Sequence, residues 1–270
     1  MCGIIGFTGR KPAKDILIDG LERLEYRGYD SAGIALLNDD DTLTIRKKAG
    51  RVSELRELCK DGDYSSTCGI GHTRWATHGG VTDANAHPHR CGNVALIHNG
   101  IIENYSDIIR EYGLADKLVS ETDSEVVAAL LDTLYDGDPI AAIRKAVKII
   151  AGSFALCIMF ADRPGIIYAV RNVSPMVAAH SEEGSIIASD LTAIISFSKD
   201  YFVVPEYHIL TMTQEGIRVE DLKGNEVKPQ MLEITWDITA AQKGGFPHFM
   251  LKEIYEQPES FLCHCKDMIF

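Results

Sequence analysis

The chain has 270 residues, 46% of them hydrophobic, and 27 Lys and Arg against 39 Asp and Glu give a formal net charge of −12 at pH 7. That apolar content can bury one large core, or one domain with an appendage. The acidic balance excludes a nucleic-acid backbone or an anionic membrane as the main partner, but leaves room for a local basic pocket holding a small anion. The seven cysteines are odd in number and lack a framework spacing, which suits reduced thiols in the cytoplasm. No basic leader precedes an apolar region, and no apolar run reaches the length of a membrane span.

In chain order, residues 2–7 form a short apolar run bounded by glycine and are read as a buried strand. Pro12 opens a helix with Ala13, Ile16, Leu17, Leu21 and Leu24 on one face, stopping near Gly28. Residues 34–37 and 42–47 read as strands around the acidic turn 38–41. A short helix over 52–59 follows, then a strand into Gly71. Residues 72–92, rich in His, Thr, Gly and Pro, read as an extended loop, and long loops in compact domains are often functional. A strand over 94–98 precedes a helical stretch in which Tyr105, Ile108, Ile109 and Tyr112 share a face and Gly113 is the stop. Thr122-Asp123-Ser124-Glu125 has the form of a capping box ahead of an apolar stripe. Asp138-Pro139 starts another helix through Ile150. Strands are expected over 154–160, 166–170, 176–179, 185–188, 202–204 and 209–212, and the pattern breaks into a linker near 240–245. Strands at both ends with helices between predict an α+β layered domain, because the strands need helices to cover their faces.

The chemistry starts at Cys2. It is small enough for Met1 to be removed ahead of it, which would leave a thiol and a free α-amine on one residue. A thiol near pKa ~8.5 needs a base, and an α-amine near pKa ~8 is matched to that task. Taken alone, Cys2 reads equally as a small buried residue leading a strand. Residues 72–79 pack a guanidinium, two imidazoles, two hydroxyls and an indole together. There Arg74 could grip a carboxylate in two places and Trp75 could cover a small polar ligand, or the two could be an ion-pair member and a core aromatic. Asn99-Gly100 is either a turn or a pair of oxyanion donors. Asp123 either offsets the positive end of its helix, worth about 0.5 kcal/mol, or meets a ligand ammonium group. His87-Pro88-His89 and Cys263-His264-Cys265 lack the spacing and acidic neighbours of a metal site and are read as non-metal features.

These features form an ordered set. The opening Cys-Gly-Ile-Ile-Gly is followed by Tyr-Arg-Gly-Tyr-Asp-Ser-Ala-Gly at 26–33 and Thr-Arg-Trp-Ala-Thr-His-Gly at 73–79. His-Asn-Gly-Ile-Ile-Glu-Asn-Tyr at 98–105 and Glu-Thr-Asp at 121–123 complete it. Over about residues 2–258 the chain closely resembles the glutaminase domains of the glutamine–fructose-6-phosphate aminotransferase (glucosamine-6-phosphate synthase) family. These are class II glutamine amidotransferases of the N-terminal-nucleophile hydrolase superfamily. The resemblance implies a four-layer αββα sandwich and no cofactor. It implies Cys2 as nucleophile, its α-amine relaying the proton, and Asn99 with the Gly100 N–H holding the oxyanion. Arg74 would bind the glutamine α-carboxylate and Asp123 the α-amino group. Thr77 and His78 would line the site, Trp75 would lie on a loop closing over it, and Arg27 would form part of its wall.

One departure is large. In the family a segment like 248–258 leads into a sugar-isomerase half that receives the ammonia, whereas residues 259–270 match nothing there. The expected organisation is a glutaminase domain over 2–240 and a linker and truncated tail over 241–270. A lesser departure is 178–184, Ala-Ala-His-Ser-Glu-Glu-Gly, where the family has a glycine-rich hairpin. The chain alone is expected to hydrolyse glutamine without making glucosamine 6-phosphate. Its partners would be L-glutamine, a sugar-phosphate isomerase domain or subunit, and a second copy if it dimerises. The rivals are a non-catalytic glutamine-binding module and a glutaminase subunit feeding ammonia to another synthase.

Overall fold

The computed structural model describes residues 2–62, 64–235, 246 and 250–258. Cα packing divides the chain into two units, 1–233 and 234–270. In the second, residues 250–258 are helical; the expected linker at 240–245 and Cys263-His264-Cys265 lie outside the described residues.

The first unit holds two antiparallel sheets. One combines β1 (Gly3–Gly9), β2 (Ser31–Leu37), β3 (Leu43–Ala49), β4 (Cys68–Arg74), β9 (Val177–Ser181), β10 (Gly184–Ala188), β11 (Asp200–Val203) and β14 (Leu232–Glu233), in the order β14-β11-β9-β10-β1-β4-β2-β3. The other combines β5 (His89–Cys91), β6 (Val94–Ile102), β7 (Gly152–Phe160), β8 (Ile167–Asn172), β12 (His208–Thr213) and β13 (Gly216–Asp221), in the order β13-β12-β8-β7-β6-β5. Helices α1 (Ala13–Leu24) and α2 (Val52–Leu58) cover the first sheet. Helices α3 (Tyr105–Tyr112), α4 (Asp123–Leu134) and α5 (Pro139–Ile149) cover the second.

The period-2 alternation of each strand assigns its side chains to different layers. On β7, Phe154, Leu156, Ile158 and Phe160 join the helix-facing core with Val127, Leu130 and Leu131 of α4. Their neighbours Ala155, Cys157 and Met159 point the other way, into a core shared with Ile4, Ala35 and Ile70 of the first sheet. A third core packs Ile5 and Phe7 against Leu17, Ile18 and Leu21 of α1. Three cores between four layers make the expected αββα sandwich. Each fully buried Leu, Ile or Phe contributes about 1.5–3 kcal/mol of transfer free energy to that arrangement.

Local chemistry explains the ends that matter. The Thr122 hydroxyl caps α4 by accepting the Glu125 N–H at 3.2 Å. Glu125 reaches further back than a simple capping box, accepting the N–H groups of Val119 and Ser120 at 3.0 and 2.6 Å. Asp138 caps α5, with Pro139 in its first turn. The 178–184 departure is a hairpin between β9 and β10, as its position requires.

Three expectations change. The loop expected over 72–92 is shorter: β4 continues through Arg74, and β5 begins at His89. His72, Thr73 and Arg74 are polar yet at most 3% exposed, so a reading that equates polarity with loops ends this strand too soon. Asn99-Gly100 is neither a turn nor the end of a strand, because β6 runs on to Ile102 against β7. Residues 216–221 form an additional strand, β13, paired to β12. Among the described residues no helix is long and apolar enough to cross a membrane.

Candidate active site

Strand pairing builds the site around Cys2. β1 and β4 are neighbours with Gly3 opposite Thr73, so the residue before one strand meets the residue after the other. The Trp75 N–H donates to Cys2 Sγ at 3.2 Å, and the thiol donates in turn to the Trp75 carbonyl at 3.5 Å. From the facing sheet, Asn99 Nδ2 donates to the Cys2 carbonyl at 3.0 Å. Arg27, on a 3-10 turn after α1, donates its Nε–H to that carbonyl at 3.3 Å and is held by Asp190 at 3.0 Å. The Cys2 backbone is thus clamped from both sheets, and Cys2 lines a cavity of about 420 Å³.

Cys2, Arg27, Trp75, Thr77, Asn99 and Gly100 line that cavity together, although they are scattered between positions 2 and 100 of the sequence. Trp75 is 45% exposed at its rim. Gly100 has φ +136°, and a Cβ there would stand 2.0 Å from the Ser153 carbonyl oxygen. Only glycine lets β6 pass β7 this closely at the cavity wall. Ile101, Ser153, Ser174 and Pro175 also line the cavity and were not singled out in the sequence. Ser153 is brought in by the register of β7, which places it opposite Ile101, and no local pattern signals that.

Arg74, His78 and Asp123 do not line the cavity. The buried Arg74 guanidinium binds the carbonyls of its own loop: His78, Gly79 at 3.2 Å and Gly80 at 3.0 Å. Asp123 accepts the Ile102 N–H at 2.7 Å, tying the start of α4 to the end of β6. His78 stands edge-on to Tyr105. Burial pulls the Arg74 guanidinium below its ordinary value, offset in part by the nearby charges of Asp30, Asp123 and Glu121. Burial also pushes the Cys2 thiol up from its ordinary value, partly offset by the Trp75 N–H and the Arg74 charge. A thiol so placed is protonated at neutral pH and requires a base to become a nucleophile.

Beneath the site lies a buried histidine cluster. His72 and His87 stack with centroids 4.0 Å apart, and His89 packs against His87 at 4.5 Å. His89 bonds the Thr122 hydroxyl and His98 the Ser124 hydroxyl. Among the described residues no three His, Cys, Asp or Glu side chains group so as to hold a metal ion. Burial holds all four rings neutral: His72 is pushed down to about 3, His87 and His89 well below the usual imidazole range, and His98 down despite the opposing Asp123 charge. Lys47 and Arg74 add to the depression at His89.

Below about pH 6.5 the unfolded chain binds protons that the folded chain refuses, so stability present above that pH is lost as pH falls, by about 1.4 kcal/mol per unit for each such histidine. Denaturant unfolding at pH 7.5 and pH 5.5 is expected to show a loss of several kcal/mol at the lower pH. Equal stabilities would show that these rings are not buried as neutral imidazoles.

A family described as a glutamine amidotransferase domain matches residues 72–196, a span that holds Arg74, Asn99, Gly100 and Asp123 but not Cys2. The glutamine–fructose-6-phosphate aminotransferase [isomerizing] of Clostridium tetani is 43% identical over 96% of this chain, and one from Thermus thermophilus is 45% identical over 96%. The chain spans only 43% of the length of each. Among solved structures, glutamine phosphoribosylpyrophosphate amidotransferase from B. subtilis superposes with a TM-score of 0.71 at 24% identity, over 83% of this chain and 50% of that one. The two chains share one fold.

Proposed function

This chain belongs to the class II glutamine amidotransferases, and from that premise we propose that it hydrolyses L-glutamine to glutamate and ammonia with Cys2 as nucleophile. The reading rests above all on one observation: Cys2, Asn99 and Gly100 line one cavity. Removal of Met1 would free the Cys2 α-amine to take the thiol proton, which burial otherwise holds in place. The thiolate adds to the side-chain amide carbon of glutamine. Asn99 Nδ2–H and the Gly100 N–H stabilise the tetrahedral oxyanion, each worth about 3 kcal/mol in the transition state. The amine returns its proton to the departing ammonia, and water then cleaves the glutamyl thioester to glutamate.

A free amino acid needs one cationic and one anionic anchor, and Arg74 and Asp123 are the candidates. Arg74 now directs its donors to the carbonyls of residues 78–80. A substrate carboxylate would take over part of that role, with a shift of the segment carrying Trp75, Thr77 and His78. Arg27, fixed by Asp190, remains a wall of the cavity.

By likeness to the relatives named above, the ammonia is destined for a sugar-phosphate isomerase domain; the free cysteines suit a reducing setting, the cytoplasm. The test is to measure glutamate and ammonia release from glutamine, with and without fructose 6-phosphate, while assaying glucosamine 6-phosphate and checking by intact mass that Met1 is gone. Glutamate without amino sugar is expected. No release from protein lacking Met1 would overturn the assignment, and amino sugar made by the chain alone would overturn the division of labour.

A further inference from the structure

Asn99 has a side chain whose two ends are nearly the same shape and opposite in polarity. If its amide turned over, a carbonyl oxygen would replace the NH2 group at the Cys2 end, and an oxyanion there would meet repulsion. Something must hold the amide one way round, because the terminal torsion of Asn is broad and roughly two-fold.

His72 on β4 is in contact with that amide. Its Nε2 is 3.0 Å from Asn99 Oδ1 and 3.0 Å from the carbonyl oxygen of His98. The second partner can only accept, so Nε2 must carry the hydrogen, and Asn99 must turn its oxygen toward the ring. The other end agrees, since Nδ2 donates to the Cys2 carbonyl. The reverse orientation would set oxygen against oxygen at Cys2 and leave the His98 carbonyl facing a lone pair. The tautomer is also consistent with the remaining ring nitrogen: His72 Nδ1 is buried with no hydrogen-bond partner, and the face of the ring is packed on His87. His72 is fully buried, and burial keeps it a neutral donor across the working pH range.

We infer that His72 is the positioning residue of the oxyanion site, its Nε2–H fixing the Asn99 amide so that Nδ2 faces the Cys2 end of the cavity. The inference rests on the reading of Asn99 as oxyanion donor. His72 does not itself touch the substrate; it sets which end of Asn99 does.

His72→Gln and His72→Asn both bury an amide, but only the longer one places its NH2 near the position of Nε2. His72→Gln is expected to keep kcat within about tenfold of wild type. His72→Asn is expected to lose about 10²-fold in kcat with KM nearly unchanged, the loss of one oxyanion donor. In an Asn99→Ala background His72→Asn should add less than about threefold, because the two residues act as one unit. Equal losses in the two His72 variants, or losses that multiply with Asn99→Ala, would overturn the inference.

Two readouts separate this from the function reading. Wild-type glutamine hydrolysis tests the function. The 15N spectrum of the wild-type imidazoles tests the positioning without activity and without any variant. An Nε2–H tautomer at His72 with slowly exchanging Asn99 side-chain hydrogens is expected, and an Nδ1–H tautomer would overturn the inference even in an active enzyme.

Discussion

Cys2→Ala is expected to reduce glutamine hydrolysis by at least about 10⁴-fold while leaving the fold intact. The activity loss follows from removing the sulfur proposed to form the thioester. The small structural cost follows from what the side chain does otherwise. Cys2 precedes β1, and among the described residues its sulfur makes two hydrogen bonds, both to the Trp75 backbone, at 3.2 and 3.5 Å. Their removal should cost no more than about 1 kcal/mol. The clamps from Asn99 and Arg27 fall on the Cys2 carbonyl, which alanine keeps. Glutamate release and thermal unfolding, measured on the same preparation, separate the two effects. Near wild-type turnover would show that Cys2 is not the nucleophile, whereas a large drop in the unfolding temperature would show that it is mainly structural.

Gly100→Ala should damage both stability and activity. At φ +136° a Cβ is strained whatever the space, and here it would meet the Ser153 carbonyl oxygen at 2.0 Å. The strands must part at that point, at an expected cost of about 2–4 kcal/mol. The shift moves the Gly100 N–H and its neighbour Asn99, so kcat should fall by about 10²–10³-fold. Gly113→Ala is the control. It also has positive φ, +62°, as the left-handed residue ending α3, but nothing lies within 4 Å of its added Cβ. It should cost about 1 kcal/mol with unchanged turnover. Denaturant unfolding and glutaminase assays on both variants check this. Equal behaviour of the two would mean that the contact with Ser153 is not what makes Gly100 special.

Local order carried much of this molecule in plain view. The apolar runs of β1 and β7, the stripe of α1, the caps of α4 and α5 and the layered α+β architecture can be read from neighbouring residues, because apolar patterning and capping are local. Cys2, Asn99, Gly100, Trp75 and Thr77 could be picked out because their side-chain types suit amide chemistry and sit in a recognisable order. What local order could not supply was their meeting. Cys2 touches Trp75 because β1 and β4 pair in one register, and Asn99 reaches Cys2 because two sheets face each other. Packing also reversed the local reading of polarity. His72, Thr73 and Arg74 look like loop residues, yet they form the end of a buried strand, where His72 Nε2 reaches Asn99 on the facing sheet and Arg74 binds carbonyls of the loop that follows. The left-handed Gly100 inside a strand, the Ser153 wall and the histidine behind Asn99 all depend on inter-strand distances of a few ångströms. Sequence spacing does not encode those distances; they are set when the two sheets close over their shared core.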